Sequence, residues 1–167
     1  MNTDKLILDA CCGGRMFWFD KQHPDTLYID IEPRPKGICK ERPEFNVSPD
    51  VVMDFRALDI PDKKFKLIVW DPPHLHSLTK TSIMRKKYGA LNVETWRYDL
   101  GKGFDELWRV LDDYGTLIFK WNEAEIPLKE VLKCFKEQPL FGHPTAKSGK
   151  TIWCVFFKNK TEVKADV

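Results

Sequence analysis

Apolar residues along the chain fall into short runs, separated by polar stretches rich in proline and glycine. The early runs share one ending. Residues 5–9 (Lys-Leu-Ile-Leu-Asp), 27–30 (Leu-Tyr-Ile-Asp) and 51–54 (Val-Val-Met-Asp) each close on an acid, and Leu67-Ile68-Val69-Trp70 is followed by Asp71. Apolar runs of this length without alternation predict strands covered on both faces, the usual condition of a parallel sheet. Farther along, Phe104, Leu107, Trp108 and Leu111 fall at i, i+3, i+4 and i+7 and predict an amphipathic helix. Gly115 to Trp121 reads as a fifth strand. Pro127 suits a first helical turn, and Leu128, Val131, Leu132 and Phe135 form the apolar stripe of the helix that follows. Leu140 and Phe141 suggest a short sixth strand. Residues 151–157 (Thr-Ile-Trp-Cys-Val-Phe-Phe) are apolar on both faces and should lie between other strands. A loop of about ten residues between these last two strands implies an antiparallel pair.

The connections carry their own signals. Ala10, Cys11, Cys12, Gly13 and Gly14 are all small, and the following Arg15-Met16-Phe17-Trp18-Phe19 reads as the start of a buried helix. Strand, small-residue turn, helix is a layout in which backbone N–H groups can approach a ligand closely, although the turn is not the G-x-G-x-x-G of dinucleotide sites. Pro33, Pro35, Pro43 and Pro49 prevent a long helix between the second and third strands, so an irregular loop is expected there. Residues 75–97 are polar, basic and weakly periodic, long for a connection, and read as a lid or substrate loop. The chain has no internal repeat; it is read as a single domain over residues 1–160 with a polar tail at 161–167.

The strand-terminal acids turn this pattern into a chemical expectation. One such Asp is usually a cap or turn former. Asp9, Asp30, Asp54 and Asp71 at four parallel strand ends would line one rim of the sheet, where open α/β sheets bind ligands. Asp30 lies 21 positions after Asp9, close to the roughly 20-residue spacing at which an acid after the second strand meets a ribose hydroxyl. After Asp71 come Pro72, Pro73 and His74. The prolines fix φ and offer no N–H, so the chain leaves the sheet in a stiff extended loop with the acid at its root.

Composition narrows the setting. Six tryptophans and eleven phenylalanines among 167 residues, with 43% hydrophobic positions, suit a globular domain and exclude a disordered chain. No run approaches a membrane span, and no signal peptide is expected. Five cysteines, two of them adjacent, do not form a disulfide framework, and no C-x-x-C pair suggests zinc, so a reducing cytoplasm is the expected location. His74 and His76 lack a third ligand, and no metal is expected. Cys11 and Cys12 read as small packing residues. Ser148-Gly149-Lys150-Thr151 resembles the end of a phosphate loop, but Pro144 stands where its first glycine would be; it reads as a hairpin turn. The net charge of +2 says little. Its distribution says more: Lys80, Arg85, Lys86, Lys87, Arg97 and Lys102 face only Glu94 and Asp99 between His74 and Gly103, a basic segment able to meet phosphates or to serve as a solvated loop.

The order of these features resembles the class I S-adenosylmethionine-dependent methyltransferases, and the resemblance spans nearly the whole chain. It implies a Rossmann-like, doubly wound, mostly parallel seven-stranded α/β sheet with a C-terminal antiparallel hairpin and helices on both faces. It implies S-adenosyl-L-methionine as cofactor. Asp9, Ala10 and the Cys11, Cys12, Gly13, Gly14 turn would meet its methionine end, Asp30 with Ile31 its ribose, and Asp54 with Phe55 its adenine. Asp71, Pro72, Pro73 and His74 would form the catalytic loop. Within the family, D-P-P followed by an aromatic marks enzymes that methylate exocyclic amino groups of adenine or cytosine. The chain is also similar to small phage-associated and bacterial methyltransferases. It departs from the pattern at Cys11 and Arg15, where glycines are common, and at His74, an imidazole that can stack on a base or exchange a proton.

Nucleic acid, DNA or RNA, is the partner this implies, with Lys80, Arg85, Lys86 and Lys87 as substrate contacts. A chain this short leaves no room for a separate target-recognition domain, so the 75–97 loop or a protein partner would have to read sequence. Other acceptors stay open: a small molecule, a protein, or the 2′-hydroxyl of RNA, where Asp71 and Lys120 resemble part of a Lys-Asp-Lys-Glu set. Lys120 itself reads as a strand-end surface residue. A silent cofactor-binding partner subunit is the remaining alternative, against which the intact Asp71-Pro72-Pro73 stands.

Overall fold

The computed structural model describes residues 4–145, 147 and 149–160; the expected polar tail and Ser148 of the hairpin turn lie outside them. Seven strands form one sheet: β1 (Ile7–Asp9), β2 (Thr26–Asp30), β3 (Val51–Val52), β4 (Phe65–Trp70), β5 (Leu111–Asn122), β6 (Phe141–Thr145) and β7 (Thr151–Phe157). Their order is β3-β2-β1-β4-β5-β7-β6. The first five run parallel, and β7 runs antiparallel to both β5 and β6. Strand β7 therefore lies between two others, as its two apolar faces require. The order reverses between β1 and β4, which places a crevice at the carboxyl ends of these two strands.

Three helices complete the described residues: α1 (Ile83–Tyr88), α2 (Trp96–Val110) and α3 (Leu128–Leu132). Register shows which residues they cover. Leu8, Ile68, Leu117 and Phe156 form one cross-sheet row and are fully buried. Above them, Trp70, Phe119 and Cys154 form the next row. Onto this face α2 brings Leu100, Phe104 and Leu107, and the chain after α3 brings Phe135. Phe104 stacks on Phe135 at 4.4 Å, and Phe135 meets Phe119 at 5.3 Å and Trp70 at 5.7 Å. Such rings supply the largest apolar area per residue, and their burial holds the helices to the sheet. Gly103 is needed here, because a β-carbon would stand 2.4 Å from the Phe55 ring.

The opposite face differs from expectation. Its rows are Tyr28-Asp9-Val69-Ile118-Val155-Phe141 and Lys120-Trp153-His143. No helix follows β1: residues 15–19 are turns, and the helix expected from Arg15 to Phe19 does not form. Arg15 has φ +52°, a left-handed conformation that interrupts a right-handed helix at its first residue. Phe17 and Trp18 instead reach onto the sheet, Phe17 edge-on to Trp153 at 5.7 Å and Trp18 edge-on to Tyr28 at 5.2 Å, while Phe19 is fully exposed. Packed helices are thus met on one face, and an aromatic loop replaces them on the other.

Smaller differences have local causes. Strand β3 is two residues long: the Met53 N–H makes the last bond to β2, to the Asp30 carbonyl at 3.0 Å, and Asp54 lies beyond it. Leu111, the last position of the expected helical stripe, opens β5 instead, its N–H still bonded to the Leu107 carbonyl. The 75–97 loop contains α1, which its weak periodicity did not reveal. Among the described residues, no helix is long and apolar enough to cross a membrane.

Candidate active site

A cavity of about 600 Å³ opens at the carboxyl ends of β1, β2 and β4, within the range of small-molecule sites. Three parts of the chain build it. The first is the turn after β1. Cys11, Cys12, Gly13 and Gly14 line the cavity; Ala10 is buried beneath it. The Gly13 N–H donates to Asp30 Oδ2 at 3.0 Å, tying the turn to the end of β2. Gly13 has φ +48°, and no protein atom lies within 4 Å of where its β-carbon would be, so a ligand can press against bare backbone. Burial, with Asp9 and Asp30 nearby, pushes the Cys12 thiol up to about 12 and raises Cys11 as well, so both stay protonated and act as packing residues.

Asp9 is placed differently from the other strand-end acids. It is fully buried under the turn and does not line the cavity. Its Oδ2 accepts the Trp18 indole N–H at 2.7 Å and its Oδ1 the Cys11 N–H at 3.4 Å. Burial raises its carboxyl from 3.8 to about 7, against the pull of these two bonds. Asp9 therefore shapes the turn from below.

Asp30, Ile31, Asp54 and Phe55 all line the cavity. Asp54 is not an open acceptor. Burial alone would raise its carboxyl, but Arg56 donates to it from its backbone, Nε and Nη2 and holds it below the usual range. Arg56 also reaches Asp99 of α2 at 2.7 Å. An acid expected to receive an adenine amino group is thus shared with a cation that the strand pattern could not reveal. Phe55 packs edge-on to Trp70 at 5.4 Å, one ring face supported from the core.

The second part is the loop after β4. Asp71, Pro72, Pro73 and His74 line the cavity together, as their contiguity requires. Asp71 Oδ2 accepts a hydrogen bond from Lys120 Nζ of β5. The expectation of a surface role for Lys120 is therefore corrected: it faces the site. Alternation with the buried Leu117, Phe119 and Trp121 gives the face of β5 that Lys120 takes, but only the β4–β5 register, which sets Trp70 beside Phe119, brings it next to Asp71. Burial pushes the Asp71 carboxyl above its ordinary range, while Lys120 and His74 pull it down. Burial likewise lowers His74, which keeps the imidazole neutral near pH 7, edge-on to Trp121 at 6.2 Å. Past His74, Glu125 anchors the chain by accepting the His76 and Ser77 N–H groups and the Ser77 hydroxyl.

The third part is the 75–97 segment, which crosses the cavity. Arg85 and Lys87 line it; Lys80 and Lys86 are exposed and do not. Lys87 is buried against the rings of Phe45 and Tyr88, 4.8 and 4.9 Å away. Tyr88 also meets Phe45 edge-on, which ties this segment to the proline-containing loop on the far side.

No protein-family model matches the chain, and no curated protein does. Solved structures do resemble it. The PH0226 protein of Pyrococcus horikoshii is 16% identical with a TM-score of 0.56, over 92% of this chain and 81% of that one. A TehB-like SAM-dependent methyltransferase of Corynebacterium glutamicum is 18% identical, also with a TM-score of 0.56, over 92% and 79%. A SAM-dependent methyltransferase of Methanosarcina mazei is 12% identical with a TM-score of 0.51, over 95% and 94%. At these identities the likeness is one of fold, and the chain has the Rossmann-like methyltransferase fold.

Proposed function

We propose that this protein is an S-adenosylmethionine-dependent methyltransferase acting on an exocyclic amino group of a nucleic-acid base, adenine N6 or cytosine N4. One observation carries the reading: a single cavity runs from the bare Gly13 backbone and Asp30 to Asp71 and His74, so a cofactor site and an acceptor site share one space. The residues fit the cofactor. Gly13 offers backbone for close approach, Asp30 and Ile31 at the end of β2 would hold the ribose, and Phe55 offers a ring to the adenine. When bound, S-adenosylmethionine supplies a methyl group activated by its sulfonium.

The chain's own work is then orientation and electrostatics. An exocyclic amine is a poor nucleophile because its lone pair is delocalised into the base. Asp71 and the Pro72 carbonyl can accept its two N–H bonds and favour the pyramidal form. The neutral His74 ring can stack on the base, worth about 1–3 kcal/mol. A base inside a duplex would have to leave the stack to reach this depth. Arg85 and Lys87 of the cavity wall, with the exposed Lys80 and Lys86 on the same segment, would offer positive charge to the backbone phosphates.

The Lys120–Asp71 contact also favours a second reading, transfer to a ribose 2′-hydroxyl. Across the sheet, however, the neighbour of Lys120 on β7 is Trp153 and the next, on β6, is His143, so these strands add neither a second lysine nor a glutamate. The amino reading is the better supported.

The test is incubation with methyl-labelled cofactor and duplex DNA, single-stranded DNA or RNA, followed by digestion to nucleosides. Label on a base amino group, reduced by at least about 100-fold in Asp71→Ala with cofactor binding retained in calorimetry, is expected. Label on ribose would select the second reading, and absence of cofactor binding would overturn both.

A further inference from the structure

Lys120 is held more closely than a strand-end lysine needs to be. Its ammonium bonds to Asp71 and lies 5.8 Å from the centroids of both the Phe17 and Trp153 rings. Those rings meet edge to face at 5.7 Å and form two walls of a cage, one from the loop after β1 and one from β7. Both distances are within reach of a cation–π attraction. The side chains of Lys120 and Asp71 are 28% and 23% exposed, and both line the cavity.

Stability alone does not call for this arrangement. Strand β5 is already paired by β4 and β7, and an apolar side chain would fill the space between two rings as well as a lysine stem does. Withdrawing two charges from water costs more than replacing them with packed apolar groups in many proteins. What Lys120 supplies here is a standing counter-charge for Asp71, to which His74 adds only in so far as it is protonated. Asp9 on β1 and the Cys11 turn face Asp71 from one side, and the neutral His74, itself beside Glu125, from the other.

We propose that Lys120, caged by Phe17 and Trp153, is a positioning residue that keeps Asp71 ionised and turned so that Oδ2 is occupied and Oδ1 meets the acceptor amine. This rests on the methyl-transfer reading of the site. It also assigns a purpose to the aromatic loop: Phe17 has to leave the helical path to form the cage wall.

Two readouts separate this from a structural role. The first is the Asp71 carboxyl titration, followed by carbon-13 NMR in wild type, Lys120→Met and Lys120→Arg. Lys120→Met fits the cage without charge and should move the Asp71 midpoint to higher pH by about one pH unit or more, while Lys120→Arg should leave it near wild type. The second is the pH–rate profile of methyl transfer. In Lys120→Met its acidic limb should move to higher pH, with turnover on that limb reduced by about tenfold for each pH unit it moves and recovering as pH rises. An unchanged Asp71 titration in folded Lys120→Met, or a loss of rate uniform across pH, would overturn the proposal. The titration needs no acceptor, so failure of the methyl-transfer reading and failure of the Lys120 assignment give different results.

Discussion

The two faces of the sheet are built on different principles. On one, α2 and the chain around α3 lay Leu100, Phe104, Leu107 and Phe135 over fully buried rows, ring against ring and with little polar content. On the other, a loop without helix lays down two rings and fixes them with polar bonds: Trp18 to Asp9, and Arg15 to the Lys21 and Ser48 carbonyls and to Asp50, its guanidinium 3.7 Å over Tyr28. Phe157, Phe141 and Phe19 remain substantially exposed there. The helical face is a packing solution. The loop face trades packing for placement, because one connection supplies the bare turn of the cavity, the cover over Asp9 and one wall of the Lys120 cage.

The sharpest way to separate the faces is to cut each at its centre. Phe104→Ala removes the ring shared by Phe135, Phe156 and Trp108 and should destabilise the protein by about 3–5 kcal/mol in denaturant unfolding. A loss below about 1 kcal/mol, the typical effect of an ordinary substitution, would mean that the helical face is not the stabilising one. Cofactor binding in the fraction still folded should be unchanged.

The loop face should instead show itself through pH. Asp9 titrates near 7 when folded and near its ordinary 3.8 when unfolded. Between those values the folded chain holds a proton that the unfolded chain has released, so rising pH favours unfolding. The contribution is fully present below the unfolded value of 3.8 and gone once pH has passed about 7. Across pH 5 to 7 the unfolding constant should rise by up to about tenfold per pH unit in wild type, and more weakly in Asp9→Asn. Asp71 is raised in the same direction, His74, lowered by burial, opposes them in this window, and Asp50, Asp54 and Glu106, held below their ordinary range by Lys and Arg partners, act only at lower pH. Identical slopes in wild type and Asp9→Asn would show that Asp9 is not the group responsible.

The smallest effect should come from Trp18→Phe, which keeps a ring on the sheet and deletes one hydrogen bond. A loss of about 1 kcal/mol is expected in unfolding, with a disproportionate weakening of cofactor affinity in calorimetry because the turn above Asp9 loosens. Equal wild-type affinity would place the loop's function in the cage alone.

These differences mark what was legible. Non-alternating apolar runs announced the parallel strands, and the D-P-P-H loop and the acids Asp30 and Asp54 that follow the runs line the cavity, while Asp9 does not. Each signal is local, set by neighbours a few residues apart, and so survives without a partner. The seven-stranded sheet and its antiparallel end agree with what the resemblance implied. Among the strand-end acids, though, sequence treated Asp9, Asp30, Asp54 and Asp71 alike. Tertiary structure separated them, burying Asp9 under Trp18, giving Asp54 to Arg56 and pairing Asp71 with Lys120, which is 49 positions away in the chain.

By itself, then, the sequence determined that this chain builds a mostly parallel α/β sheet whose first strands lead into acids, with a stiff proline loop after the fourth, because strand pattern and proline geometry act within a few residues. Only the tertiary structure decided that Asp30 ties down the turn, that Asp9 is buried beneath it, that Asp54 and Asp71 are paired with cations, and that Arg15 to Phe19 form a covering loop. Those outcomes depend on register between strands and on side chains meeting across the sheet. A residue's charge state and partner are properties of the neighbours that folding brings to it, and no periodicity along the chain carries them.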